Sequence, residues 1–178
     1  PGPAEQLRIM YGVAGERWLP EQEVAWLPGY EGSLPLRVGN AAADHLQIDV
    51  YGELIETLHA ARAADLSPLD EAWRMQKVML ARLEKIWHQP DQGIWEVRGE
   101  ARHFTHSRLM SWVAFDRAVK SAERFGLDGP VQRWRELRDE VHAGRVVGLL
   151  RAVHDPRLLA ELAPDLLHDG AAGAADGL

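Results

Sequence analysis

The chain has 178 residues, 46% of them apolar and none of them cysteine, and its formal net charge is −7. This length is enough for one domain with a hydrophobic core, and the composition is that of a globular protein. The negative charge disfavours nucleic acid as a partner, because a phosphate backbone is bound by a basic surface, and the lack of cysteine excludes disulfides and thiolate chemistry.

The sequence carries no sign of a membrane segment or a leader. No stretch of about 18 or more apolar residues occurs, so no membrane contact is predicted. No signal peptide is visible, and we expect a cytoplasmic protein. The chain starts at Pro1 rather than at methionine, which we interpret as the start of a fragment.

Residues 1–39 show no sustained hydrophobic period, because glycine and proline interrupt the segment repeatedly. Trp18, Trp26 and Tyr30 lie among these breakers. A loop of this length inside a compact domain is usually functional. The alternative is a surface segment that its aromatic side chains tie down, and the residues alone leave both readings open.

Four helices are predicted from apolar spacing and end signals, at about 40–64, 68–88, 105–125 and 130–142. Asn40 is the expected N-cap of the first helix. Asp116 and Arg117 stand inside the apolar frame of the third helix, which predicts a buried or half-buried ion pair. Four long helices without a strong strand pattern predict an all-α fold.

The loop between the second and third helices, residues 90–99, combines side chains that chemistry on sugars can use. Glu96 follows Trp95 directly, Arg98 comes two residues later, and Gly93 and Gly99 flank the group. A glutamic acid must keep its proton near neutral pH to act as an acid, and an apolar wall such as Trp95 disfavours its charged form. The alternative is a capped helix–loop–helix in which these polar residues cluster by chance.

The composition changes at Gly144. Residues 144–178 contain no aromatic residue and end in a run of glycine, alanine and aspartate. Such a low-complexity segment is expected to be partly disordered. We therefore predict a catalytic part in residues 1–143 and a divergent tail in residues 144–178.

Several linked motifs resemble one enzyme family over roughly residues 7–143. They are Ile9–Val13, Glu16–Glu21, Leu27–Tyr30, Arg37–Ala43, Gln47–Glu53, Pro90–Gly99, His103–Arg108 and Trp112–Ala118. In this order they are similar to glycoside hydrolase family 15, the glucoamylases, glucodextranases and bacterial trehalases. The resemblance implies a partial (α/α)6 barrel made of helical hairpins with long active-site loops, that is, a fragment of the catalytic domain.

The resemblance also implies roles for single residues. Glu96 matches the general acid of the family, and Trp95 is then the surface on which the sugar stacks. Arg98 is expected to face the hydroxyl groups of the substrate, while Arg37 and Asn40 match the substrate-binding stretch. For Gln47 and Asp49, support of the core is as good an interpretation as contact with a ligand.

The implied reaction is hydrolysis of an α-glucosidic bond with inversion, by an acid and a base roughly 6.5–9.5 Å apart. The family's base belongs to a C-terminal motif similar to Gly-Asn-Phe-Pro-Gln, and no such stretch occurs here. The β-rich domain that precedes the barrel in the family is not found either. The expected partners are therefore an oligosaccharide or disaccharide substrate and the remainder of the barrel.

The main prediction is a glucoamylase-like hydrolase that releases glucose. The alternatives are an α,α-trehalase of the same family, a truncated product that lacks the base and is not catalytic, and a freestanding helical interaction module. No cofactor and no metal are predicted. His103 and His106 lie three residues apart without a carboxylate at ligand spacing, which favours loop structure over a metal site.

Overall fold

The computed structural model describes residues 7–66, 70–97 and 99–154, with side chains as far as residue 144. Its helices are α1 (Asp49–Ala63), α2 (Asp70–Ile86), α3 (Thr105–Phe125) and α4 (Val131–His154). The only two strands of the described part are β1 (Gln22–Glu23) and β2 (Arg37–Val38). The predicted all-α fold is confirmed, since the strands are two residues long.

The segment before α1 is mostly irregular, as the glycines and prolines predict. β1 and β2 pair antiparallel, with Gln22 opposite Val38 and Glu23 opposite Arg37. The same segment contains two 3₁₀ turns, Tyr30–Gly32 between the strands and Ala41–Asp44 after β2. The short ladder folds residues 22–38 back on themselves, which brings the chain to the start of the helical part.

The first helix begins nine residues later than predicted. Asn40 does act as a cap, but of the 3₁₀ turn Ala41–Asp44, where its side-chain oxygen accepts a hydrogen bond from the Ala42 N–H at 2.9 Å. His45 then turns the chain into an extended conformation, and α1 starts at Asp49. The apolar spacing from Ala42 to Leu46 predicted helix because a 3₁₀ turn and an α-helix bury small apolar residues at similar intervals.

The next two helices lie close to their predicted bounds. α2 is described from Asp70 to Ile86 against a predicted 68–88, and α3 spans Thr105–Phe125 as predicted. The sequence Ser67-Pro68-Leu69-Asp70 predicts Ser67 as the N-cap of α2, but residues 67–69 lie outside the described residues. α3 ends at Gly126, whose φ of 65° is the left-handed conformation in which glycine closes helices without strain.

The fourth helix is longer than predicted, reaching His154 instead of about 142. The chain divides into two compact units, Pro1–Val141 and His142–Leu178. The predicted tail, residues 144–178, falls largely outside the described residues, so its disorder and its domain boundary stay predictions. No helix of the described ranges is long and apolar enough to cross a membrane.

The core of the first unit lies between the four helices. Trp73 of α2 and Trp134 of α4 meet edge to face with ring centroids 5.8 Å apart, a favourable aromatic geometry. The Trp73 indole N–H donates to the Asp128 carbonyl at 2.9 Å, so its polar group stays satisfied on burial. The largest fully buried apolar side chains are Ile48, Ile55, Leu80, Leu83, Ile86, Phe115, Leu137 and Val141.

The predicted ion pair at Asp116 is present. Asp116 is buried, and its carboxylate pairs with Arg117 and with Lys120, whose Nζ lies 2.8 Å away. Arg117 also pairs with Glu56 of α1. A buried carboxylate with cationic neighbours is compensated. The pair of Arg117 with Glu56 joins α3 to α1.

Candidate active site

Glu96 lies on a loop whose two ends are joined by backbone hydrogen bonds. Asp91 and Arg102 form an isolated antiparallel bridge, in which each backbone N–H donates to the other residue's carbonyl at 2.8 Å. Within the loop the Glu96 N–H donates to the Gly93 carbonyl at 3.2 Å. Glu96 has a φ of 51°, so a glutamate occupies a left-handed conformation that non-glycine residues adopt rarely. Its carboxylate is thus presented from the tip of a tight turn.

The side chains beside Glu96 are open to solvent in the described part of the chain. Trp95 is 81% exposed and Glu96 is exposed as well. An exposed indole face is what a stacking role requires. The apolar enclosure expected around Glu96 is not formed by the described residues. Arg98 lies outside the described residues, so its expected orientation toward substrate hydroxyls stays a prediction.

Arg37 and Asn40 are engaged in the structure of the segment before α1. Arg37 lies on β2 and pairs across the ladder with Glu23, Nη2 to Oε1 at 3.1 Å, and with Glu21 at 3.5 Å. Asn40 uses its side-chain oxygen as a cap, and its backbone N–H donates to the Leu19 carbonyl at 3.1 Å. Neither residue forms a hydrogen bond or ion pair with Trp95 or Glu96 within the described ranges, so their substrate contacts stay predictions.

Two residues that the sequence reasoning did not single out hold the loop of Glu96 in place. The Asp91 carboxylate accepts a hydrogen bond from the Ile48 N–H at 2.9 Å, and the Gln92 side-chain oxygen accepts one from the Leu46 N–H at 3.0 Å. No local sequence signal marked these contacts, because Ile48 at the start of α1 has no side chain that could cap the helix. Such a helix start calls for a partner from elsewhere in the chain.

A second polar group lies at the facing ends of α1 and α3. The Nε2 atom of His106 is 3.9 Å from one carboxylate oxygen of Asp49 and 3.9 Å from one of Glu53. Asp49 is buried, and that burial raises the pKa of its carboxyl above the ordinary value, while its own backbone N–H and His106 oppose the rise. The other carboxylate oxygen of Asp49 is buried without a hydrogen-bond partner among the described residues.

Gln47, next to this group, is buried too, and its side-chain nitrogen lacks a partner in the described part of the chain. The structure therefore places Gln47 and Asp49 in the interior, and their choice between core support and ligand contact stays open.

The histidine pair of the sequence does not build a metal site in the described residues. His106 belongs to the first turn of α3, and the Nδ1 atom of His103 lies 3.4 Å from the Arg108 guanidinium. No group of three or more His, Cys, Asp or Glu side chains in the described ranges is arranged to hold a metal ion.

Chemically, the described site offers one exposed carboxyl group beside one exposed indole. A carboxylic acid in this position can donate a proton to a leaving oxygen, and the indole can support the apolar face of a ring. An inverting hydrolysis needs a second carboxylate on the opposite side of the bond.

Comparisons with known proteins place the chain in one family. The family model for glycosyl hydrolases family 15 matches residues 2–146. A trehalase of Mycolicibacterium smegmatis is 42% identical over 143 residues, covering 80% of this chain and 21% of that protein. A trehalase of Mycobacterium tuberculosis is 43% identical over 138 residues, covering 77% of this chain and 20% of that protein. A trehalase of Thermoplasma acidophilum is 37% identical over 136 residues, covering 76% of this chain and 23% of that protein.

The search of solved structures finds no match. The chain spans about a fifth of the length of the curated relatives it matches. These relatives carry the name trehalase, so the glucoamylase-like specificity predicted first is not confirmed. The match to the family model extends over most of the chain, and it includes the loop of Glu96 as well as all of α1, α2 and α3. The chain therefore belongs to glycosyl hydrolases family 15.

Proposed function

We propose that this chain contributes the general-acid part of an α,α-trehalase. The observation that carries the proposal is the 42% and 43% identity to two trehalases over a region that includes the loop of Glu96. Glu96 protonates the glycosidic oxygen as the bond to the anomeric carbon breaks, and Trp95 supports the ring of one glucose unit.

The base of the reaction is assigned to polypeptide other than these 178 residues. It removes a proton from a water molecule that attacks the anomeric carbon from the face opposite Glu96. The attacked glucose leaves with inverted configuration, as the β-anomer. The other glucose keeps its α-configuration, because its own anomeric bond is never broken.

The test uses a hybrid enzyme in which residues 2–146 replace the matching stretch of the Mycolicibacterium smegmatis trehalase. We expect the hybrid enzyme to release glucose from trehalose and to act far more slowly on maltose. Proton NMR in the first minutes should show α- and β-glucose in equal amounts, before mutarotation mixes them.

Two results would count against the proposal. A hybrid enzyme that prefers maltose to trehalose would support glucoamylase-like specificity instead. A hybrid enzyme that melts like the parent trehalase but hydrolyses neither sugar removes the support for a catalytic role of this chain.

A further inference from the structure

We infer that Asp91 and Gln92 are positioning residues, which fix the loop of Glu96 to the N-terminal end of α1. The inference rests on the proposed role of Glu96 as the general acid, and it adds two residues to that site. Neither side chain is expected to touch the substrate. They act through the backbone of the loop, by contacts that lie among the described residues.

Asp91 serves as a cap for α1 from a distant part of the chain. Only 1% of the residue is exposed, and its Oδ2 atom accepts a hydrogen bond from the Ile48 N–H at 2.9 Å, 43 residues away in sequence. Ile48 precedes the first residue of α1 and has no side-chain cap of its own. The free N–H groups and the positive end of the helix dipole both favour a carboxylate at this place.

Gln92 makes two hydrogen bonds to one residue. Its side-chain oxygen accepts from the Leu46 N–H at 3.0 Å, and its backbone N–H donates to the Leu46 carbonyl at 3.0 Å. Two bonds to both polar groups of Leu46 fix the position of the loop along the segment before α1, where a single bond would allow it to pivot. The Gln92 carbonyl in turn accepts from the Val97 N–H at 3.2 Å, which closes the turn around Glu96.

The path from these anchors to Glu96 is short and tightly packed. Gly93 is buried with a φ of 62°, and a Cβ atom there would lie 2.7 Å from the ring of Phe104. The Gly93 carbonyl accepts the N–H of Glu96. The backbone of Glu96 therefore lies only a few residues away from the hydrogen bonds that Asp91 and Gln92 make. A misplacement of about 1 Å in a catalytic group can cost about 10²-fold in rate.

Amide hydrogen exchange in the full chain tests the inference, with Gln92→Ala, Gln92→Glu and Asp91→Asn as variants. Gln92→Ala removes the acceptor of Leu46, and we expect exchange at the Glu96 and Val97 amides to rise about tenfold, the effect of one lost hydrogen bond. Gln92→Glu keeps a side-chain oxygen of the same reach and should restore slow exchange. Asp91→Asn keeps an acceptor but loses the charge at the helix terminus, so about a threefold rise is expected.

Gln89→Ala, at an exposed position just before the loop, is the matched control and should leave the same amides unchanged. The inference is overturned if exchange at Glu96 and Val97 stays within about twofold in Gln92→Ala and Asp91→Asn. It is equally overturned if the rise in these variants is uniform across α2 and α3, because that pattern reports general destabilisation rather than a released loop.

Kinetics of the hybrid enzyme separate positioning from folding. Gln92→Ala should lower kcat for trehalose about tenfold with KM within about twofold, since the substrate contacts remain while the acid is misplaced, and Gln92→Glu should recover most of the loss. A rise in KM at constant kcat would contradict the inference. If the unaltered hybrid enzyme shows no trehalase activity, the proposed function fails, while the exchange data still decide whether the two residues hold the loop.

Discussion

At the scale of the residue, the backbone conformation of Glu96 is energetically unfavourable. A non-glycine residue in the left-handed region costs of order 1–3 kcal/mol, and Glu96 with a φ of 51° persists there because the turn around it is closed by hydrogen bonds. The sequence places Glu96 next to Trp95, and the resemblance assigns its role. Neither indicates the backbone conformation or the exposure, since both depend on Asp91, Gln92 and contacts made across more than 40 residues.

Asp49 provides a prediction about pH. Burial raises the pKa of its carboxyl above 3.8, with Asp91 and Glu53 adding to the rise and His106 opposing it. The folded protein thus binds this proton more tightly than the unfolded chain does, and the group's contribution to stability falls as pH increases from 3.8 to the raised pKa. Asp49→Asn does not titrate, so the stability of the variant relative to the unaltered chain should improve across that window.

Urea unfolding at several pH values between about 3.5 and 7 measures this difference. Asp65→Asn, at an exposed position beyond the end of α1, is the control. A free energy difference between Asp49→Asn and the unaltered chain that is the same at every pH would contradict the account of Asp49.

At the scale of the element, the apolar spacing of the sequence predicted the four helices, but it did not predict where α1 starts. The bounds of α3 agree with the predicted 105–125, and its C-terminal end carries a local signal, the left-handed Gly126. The N–H at the start of α1 is bound by the carboxylate of Asp91, 43 residues later in sequence, and local patterns carry no information about such a partner. The same reason explains why the polar group of Asp49 and His106, formed between two helices, was missed.

The contact between α1 and α3 gives a prediction at this scale. A Cβ atom on Gly52 would lie 2.2 Å from the backbone carbonyl oxygen of Met110, so the two helices pack at a distance that only glycine allows. Gly52→Ala should lower the free energy of unfolding by about 1–3 kcal/mol, the usual cost of overpacking, despite the higher helix propensity of alanine. Thermal and urea denaturation measure the change.

Gly99→Ala is the matched control for Gly52→Ala, because its Cβ atom would meet only Val97 at an ordinary 3.8 Å. Equal stability of the Gly52→Ala and Gly99→Ala variants would contradict the close approach of α1 and α3.

At the scale of the whole molecule, the described part of the chain supplies four helices of an (α/α)6 barrel. The chain spans about a fifth of the length of its curated relatives. Large aromatic side chains are exposed on its irregular segments, at Trp18, Trp26, Tyr30 and Trp95. The family and the fold class could be predicted from linear motifs, whereas the choice between trehalose and maltose could not, because no residue pattern of this chain distinguishes the two sugars.

The most direct test of the account is the rate of trehalose hydrolysis by the hybrid enzyme carrying Glu96→Gln. We expect kcat to fall by roughly 10²–10⁴-fold, the range for loss of a general acid. Glu100→Gln, at an exposed glutamate just after that loop, should leave kcat unchanged. If Glu96→Gln retains the rate of the unaltered hybrid enzyme, Glu96 is not the general acid.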